Sequence, residues 1–298
     1  MSSKLQNFQH KSRNFWSRKR CFWTGLVVLI ILTAIAIPVG VMFGREKKTT
    51  PRSSVLVPLY VYPYPGAWDP LYTAIASHPK LQFIVVVNPH NGPGAGSLPD
   101  GNYTREIPRL NSHANVQTAG YVSTDYGKRD TKLMLKDVDV YSNWSSHSLG
   151  MDGIFLDEVP TQYNFSTVRA YEQVSLEIRS APGLGPDSLI IHNPGTIPDA
   201  RYLALCNMTI VFEGSYDTYQ QHNLSDTIKS FCKDSGCVRN SLAVVVHSVP
   251  PTIDAKVEKS MLKDVRKLAA GVFITSLSTD YYSSFGQSWG AFVQDADA

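Results

Sequence analysis

From residue 55 onward the sequence alternates, eight times over, between short apolar runs and segments of helical period. The runs are VLVPLYVY (55–62), QFIVVVN (82–88), QTAGYVS (117–123), GIFLDE (153–158), SLIIHN (188–193), MTIVFEG (208–214), LAVVVHS (242–248) and GVFITSL (271–277). They are β-branched and nearly continuous in apolar character, as strands of a parallel sheet covered on both faces are. Helices are expected between them at 69–78, 105–114, 131–147, 166–181, 198–205, 217–231, 252–270 and 283–293. The clearest is the stretch 252–270, where Ile253, Val257, Met261, Leu262, Val265 and Leu268 follow the 3.6-residue period and Gly271 can end it. Eight β–α units in a segment of this length predict a (β/α)8 barrel over 55–298. A doubly wound open sheet is the alternative, but it usually has fewer strands, and the Pro-rich YVYPYPGAWDP follows the first run where a GxGxxG or P-loop would stand.

The N-terminal segment is of another kind. Phe22 to Phe43 is an uncharged apolar run of 22 residues, enough to cross a bilayer as a helix. It predicts a single transmembrane anchor (22–43) between a basic tail (1–21) and a linker (44–54). A cleaved signal peptide would have a shorter apolar core, and some twenty polar residues precede this one. The basic residues are more numerous before the run than after it, which favours a cytoplasmic tail and an outer C-terminal domain, a single-pass type II arrangement in the cell membrane. Five sequons, at Asn102, Asn143, Asn164, Asn207 and Asn223, all lie beyond the anchor. Cys206, Cys232 and Cys237 lie there too; they allow one disulfide, and the pairing stays open.

Charge follows the same division. The net charge of +3 comes from 28 Lys and Arg against 25 Asp and Glu. Residues 1–52 hold ten basic residues and one acid, so they carry +9 and the rest carries −6. An acidic outer domain is a poor partner for nucleic acid, whose phosphates need a basic surface. At 43% apolar, 11% aromatic and 18% charged, the chain has a globular composition.

In a (β/α)8 barrel the chemistry sits at the carboxyl ends of the strands. The residues there are Tyr60, Tyr62 and Tyr64; Asn88 and His90; Tyr121 and Ser123; Asp157 and Glu158; Asn193; Glu213; His247; and the segment Ser276–Tyr282. Three carboxylates stand out. Asp157 and Glu158 close the apolar run GIFLDE, and Glu213 closes TIVFE. A carboxylate ending a buried strand is costly unless it is hydrogen-bonded or used in chemistry. The fourth and sixth strands are two apart, so their ends can face each other across the barrel mouth. Two opposed carboxyl groups are what glycoside hydrolysis needs, one as nucleophile or base and one as proton donor. Side chains alternate along a strand, so Asp157 and Glu158 can both turn inward only at a local bend. Taken singly, an acid at a strand end also suits a helix N-cap or a salt bridge.

The remaining rim residues suit sugar contacts. Tyr60, Tyr62, Tyr64, Trp68, Tyr121 and Tyr216 can stack on sugar rings or pack against helices and loops. Asn88 and Asn193 can bond sugar hydroxyls or start turns. His90 and His247 can contact substrate or serve the fold. The sequence holds no HExxH, no two-histidine-one-carboxylate metal set and no GxSxG elbow, so no metal and no cofactor is expected. The DxxDxDxE pattern of family-18 chitinases is missing from the fourth strand.

Together the segments VPLYVYPYPGAWDPLY, VVNPHNGPG, GYVSTDYG, GIFLDEVP and VFEGSY, in this order, resemble the spherulin-4 family, which corresponds to glycoside hydrolase family 135. The resemblance covers roughly 55–295. It implies a (β/α)8 barrel, hydrolysis of α-1,4-linked N-acetylgalactosamine, and a galactosaminogalactan-type exopolysaccharide of fungal walls and biofilms as substrate. It implies Asp157, Glu158 and Glu213 as the catalytic acids. Retention is the expected course, with Asp157 attacking the anomeric carbon, Glu213 acting as acid then base, and Glu158 orienting its neighbour. A retaining route through the substrate's own acetamido group, with Asp157 as its polariser, is the alternative. The anchor fits an enzyme working beside the machinery of polysaccharide synthesis. A glycan-binding or developmental surface glycoprotein that cleaves nothing is the competing reading.

Overall fold

The structure, a computed structural model, describes residues 52–298. The predicted tail and the apolar run 22–43 lie outside them, as does most of the linker. Among the described residues no helix is long and apolar enough to cross a membrane.

The strands are β1 (Ser54–Leu59), β2 (Gln82–Val87), β3 (Val116–Ser123), β4 (Gly153–Asp157), β5 (Leu189–Asn193), β6 (Met208–Ser215), β7 (Leu242–His247) and β8 (Gly271–Ile274). They pair in parallel in sequence order, and β1 closes on β8 to complete a barrel. The expected (β/α)8 architecture is therefore present. All eight expected strand runs form, mostly a residue or two shorter than their apolar stretches, because pairing stops where the rim opens.

Helices α1 (Asp69–Ser77), α2 (Gly101–Asn111), α3 (Thr131–Trp144), α4 (Phe165–Ser180), α5 (Tyr216–Gln221), α6 (Leu224–Ser235), α7 (Ala255–Leu268) and α8 (Trp289–Asp297) surround it. Several starts are set by side-chain caps. The Asp100 carboxylate accepts from the Asn102 and Tyr103 amides, which begins α2 four residues before the expected 105. Asp254 likewise caps α7, and Asn223 caps α6.

Three expectations are corrected. The helix foreseen at 198–205 is a 3-10 helix, Ala200–Leu205, in the connection between β5 and β6. The one foreseen at 217–231 is two helices, broken where His222 leaves helical geometry and Asn223 starts the next. The last begins at Trp289 rather than 283, because the segment after β8 first returns to the barrel mouth, where the Tyr282 carbonyl accepts from the Tyr60 amide at 3.0 Å.

Valines, isoleucines and leucines fill the barrel wall, and Phe83, Phe155, Trp68, Trp144, Tyr141 and Tyr171 are fully buried within or around it. Cys232 and Cys237 form the disulfide at the end of α6, and Cys206 is a free thiol.

Candidate active site

The carboxyl ends of the strands surround an open cavity of about 350 Å³. Strand alternation builds three parts of its wall. Pro58 and Tyr60 come from the β1 end, Phe155 and Asp157 from β4, and Val245 and His247 from β7, each pair two residues apart and lining the same space.

The other two acids reach the cavity by breaking that alternation. Glu158 directly follows Asp157 and would ordinarily face the opposite side. Its backbone takes φ 56, in the left-handed region, and Glu158 also lines the cavity. This is the local bend without which both acids could not face the cavity. A left-handed non-glycine residue is strained and persists only where its surroundings fix it. Here Thr124 Oγ1 donates to the carbonyls of both Asp157 and Glu158 at 2.9 Å, and Ser123 Oγ donates to Glu158 Oε2 at 2.9 Å.

On β6 the device is a bulge. The register with β7 passes from Ile210 opposite Ala243 to Phe212 opposite Val244, skipping Val211. Ile210 and Glu213, three residues apart, therefore both line the cavity, where regular alternation would turn Glu213 outward.

One side chain ties two of the acids together. Asn193, buried at the end of β5, donates through Nδ2 to Asp157 Oδ1 at 2.8 Å and to Glu213 Oε2 at 2.7 Å. Two oxygens bound to one nitrogen are no farther apart than the two bonds laid end to end, so these lie at most 5.5 Å apart. The amide is held in turn by its Oδ1, which accepts from the Gly195 N–H at 3.0 Å. The outer oxygens have tyrosine donors: Tyr121 Oη to Asp157 Oδ2 at 2.8 Å, and Tyr282 Oη to Glu213 Oε1 at 2.5 Å.

Burial pushes the Asp157 carboxyl up to about 6. The charge of Glu213 adds to the rise, while hydrogen bonds from Tyr121, the Glu158 peptide and Asn193 oppose it. Asp157 is thus an anion at neutral pH, desolvated yet held by donors. His247 lies flat against Tyr281, ring centroids 4.0 Å apart, and burial lowers its pKa against the pull of Glu213. Among the described residues no Lys or Arg lines the cavity.

Of the residues expected at the site, Asp157, Glu158, Glu213, Tyr60, Asn193 and His247 line the cavity, and Tyr121 supports Asp157 from just beneath. Others lie elsewhere. Tyr62 is held by Asp100 and Asn102 and packs tilted against Tyr64 and edge-on to Tyr103. Asn88 starts a turn, its Oδ1 accepting from the Gly92 N–H. His90 is an exposed residue of that turn. The Tyr216 hydroxyl accepts from Gln220 on α5. In the sequence Tyr281 and Tyr282 stand only within the rim segment Ser276–Tyr282, and nothing sets Tyr126 apart within GYVSTDYG. Their one sequence signal is aromatic residues in loops at strand ends.

Comparison with known proteins agrees with this architecture. The family model of spherulation-specific family 4 (Spherulin4) matches residues 54–296. Spherulin-4 of Physarum polycephalum is 40% identical over 159 residues, which span 53% of this chain and 44% of that protein. The crystal structure of Aspergillus clavatus Sph3 in complex with GalNAc superposes with a TM-score of 0.79 at 43% identity, over 83% of this chain and 98% of that one. The family match runs from β1 through the last helix and takes in the β4 and β6 ends that bear the acids, and the chain belongs to spherulation-specific family 4.

Proposed function

We propose that this protein is a glycoside hydrolase that cleaves α-1,4-linked N-acetylgalactosamine in a galactosaminogalactan-type polysaccharide, with retention of anomeric configuration. The observation that carries the reading is the Asp157–Asn193–Glu213 bridge, which brings the two carboxylate oxygens within 5.5 Å in an open cavity. Retaining enzymes hold their carboxyl pair about 5–5.5 Å apart, whereas inverting ones leave about 6.5–9.5 Å for a water molecule. The sugar class is supported by the likeness to Sph3, whose structure is a complex with GalNAc.

In this mechanism Asp157 attacks the anomeric carbon, and the donors on both its oxygens hold it in place for attack. Glu213 gives its proton to the leaving oxygen, then takes one from the water that frees the sugar. Glu158, beside Asp157 and held by Ser123, orients and tunes its neighbour. The route through the substrate's own acetamido group is closed to this linkage: in an α-linked N-acetylgalactosamine that group lies on the same side as the leaving oxygen and cannot attack the anomeric carbon from behind. In the cell the reading places the barrel outside, carried by the apolar run 22–43 beside polysaccharide synthesis.

The test is release of reducing ends from the acetylated polymer by the full-length chain. Wild type is expected to cleave, and Asp157→Asn and Glu213→Gln are each expected to lose about 10²–10⁴-fold in kcat. Binding without cleavage by the wild type would instead favour a glycan-binding surface protein.

A further inference from the structure

Tyr126 stands apart from the other tyrosines of the cavity. Tyr60 packs edge-on to Tyr121 and Tyr282, Tyr281 lies flat on His247, and Tyr282 bonds Glu213. Each is fixed by protein partners. Tyr126 lines the same cavity, yet it is 57% exposed, and among the described residues its side chain makes no hydrogen bond and stacks on no ring. An aromatic ring left bare beside three carboxylates gains nothing for the fold.

The backbone that presents it is strained. Asp125, Tyr126 and Gly127 are three consecutive residues with left-handed φ, at 45°, 51° and 81°. Only the third is glycine, so two side chains sit in a region that L-residues avoid. The surroundings impose this. The Gly127 and Arg129 amides both donate to the Thr124 carbonyl. Thr124 is in turn bonded to the Asp157 and Glu158 carbonyls, and Tyr171 Oη donates to Thr124 Oγ1 at 2.6 Å. The Arg129 guanidinium bonds the Ser123 carbonyl and pairs with Asp137. Behind the turn there is no slack, since a Cβ on Gly127 would come within 3.1 Å of Pro160 and 3.0 Å of Thr167. The network that fixes the Tyr126 backbone is thus the network that fixes the acids, and ring and carboxylates are held in one register. The Tyr126 hydroxyl is correspondingly held above its ordinary pKa, by its partial burial and then by the charges of Glu158, Asp157 and Glu213.

We propose that Tyr126 is a substrate-positioning platform, on which the C–H face of a galacto-configured pyranose stacks as the chain lies across the three acids. The inference rests on the hydrolase reading and deepens it. It assigns the ring a part in binding and none in bond breaking.

The full-length wild type, Tyr126→Ala, Tyr126→Phe and Tyr126→Gly are compared on an α-1,4-linked N-acetylgalactosamine oligosaccharide. Tyr126→Ala is expected to raise KM about tenfold, with a much smaller change in kcat, and Tyr126→Phe is expected to restore KM. Tyr126→Gly is expected to raise KM in the same way without lowering Tm, because it relieves the left-handed strain. A lowered Tm in Tyr126→Gly, an unchanged KM in Tyr126→Ala, or a loss confined to kcat would overturn the platform. If the wild type does not cleave, calorimetric binding of the same oligosaccharide decides. Binding about tenfold weaker in Tyr126→Ala supports the platform while the hydrolase reading falls. Equal binding by the two, or none by the wild type, overturns the platform as well.

Discussion

Asn193 is the residue on which the geometry of the site turns. Read in sequence, an Asn before Pro is as good a turn starter as a ligand, and here it is both: Oδ1 holds the turn while Nδ2 spans Asp157 and Glu213. The bridge has an electrostatic consequence. Asp157 is raised to about 6, first by burial, so the mechanism loses its anion as the pH falls through that value. Activity is expected to drop on the acid side with an apparent pKa near 6, measured as kcat/KM against pH. An acidic limb near the usual carboxylate value would show that the carboxylate the reaction needs is not one raised by burial, and a loss of activity on raising pH through 6 would make Asp157 the proton donor instead.

The sign for stability is opposite. A carboxyl raised above its unfolded value binds its proton more tightly in the fold. Its favourable contribution is therefore present at low pH and is lost as pH rises toward 6. Asp157→Asn should accordingly gain Tm relative to the wild type at pH 7–8, a gain that shrinks toward pH 4. Differential scanning at several pH values reads this directly.

At the level of single elements, β4 and β6 show what the sequence could and could not tell. The apolar runs GIFLDE and MTIVFEG mark both strands and place their acids at the rim. The alternation rule then allows one inward acid on β4 and says nothing reliable of Glu213. What resolves it is a left-handed Glu158 and a bulge at Val211, and both are held by hydrogen bonds to neighbouring strands and loops. Such contacts join residues far apart in sequence, so no local pattern announces them. The same holds for the loop after β8, whose Tyr281 and Tyr282 reach back to His247 and Glu213.

Strand β4 is also fixed at its base. Gly153 sits opposite Leu189, and a Cβ there would lie 1.9 Å from the Leu189 carbonyl oxygen. Backbone cannot yield as a side-chain tip does. Gly153→Ala is expected to destabilise the fold by about 3 kcal/mol in urea unfolding and to lower activity by shifting the strand that carries Asp157. Unchanged stability would show that the β4–β5 ladder is looser than its geometry implies.

For the whole molecule, the eightfold alternation was the most legible feature, because continuous apolar runs of strand length have few uses other than a sheet covered on both faces. The rim was legible as a class of residues more than as a list. Tyr62, Asn88, His90 and Tyr216 are spent on local turns, helices and ring packing, while bare Tyr126 went unmarked, since nothing in GYVSTDYG distinguishes a presented tyrosine from a packed one. The charge division has a local counterpart at this scale: among the described residues three acids and no Lys or Arg line the cavity at the barrel mouth.

The central claim is retention by the Asp157–Glu213 pair, and the first-formed anomer tests it most directly. Proton NMR of the acetylated α-1,4-linked polymer, recorded immediately after addition of the full-length protein, is predicted to show the α-anomer of the new reducing end first, with the β-anomer growing in only as the sugar mutarotates. A β-anomer that appears first would contradict the account, because inverting enzymes keep their carboxyl groups about 6.5–9.5 Å apart, and the oxygens that Asn193 bridges lie at most 5.5 Å apart.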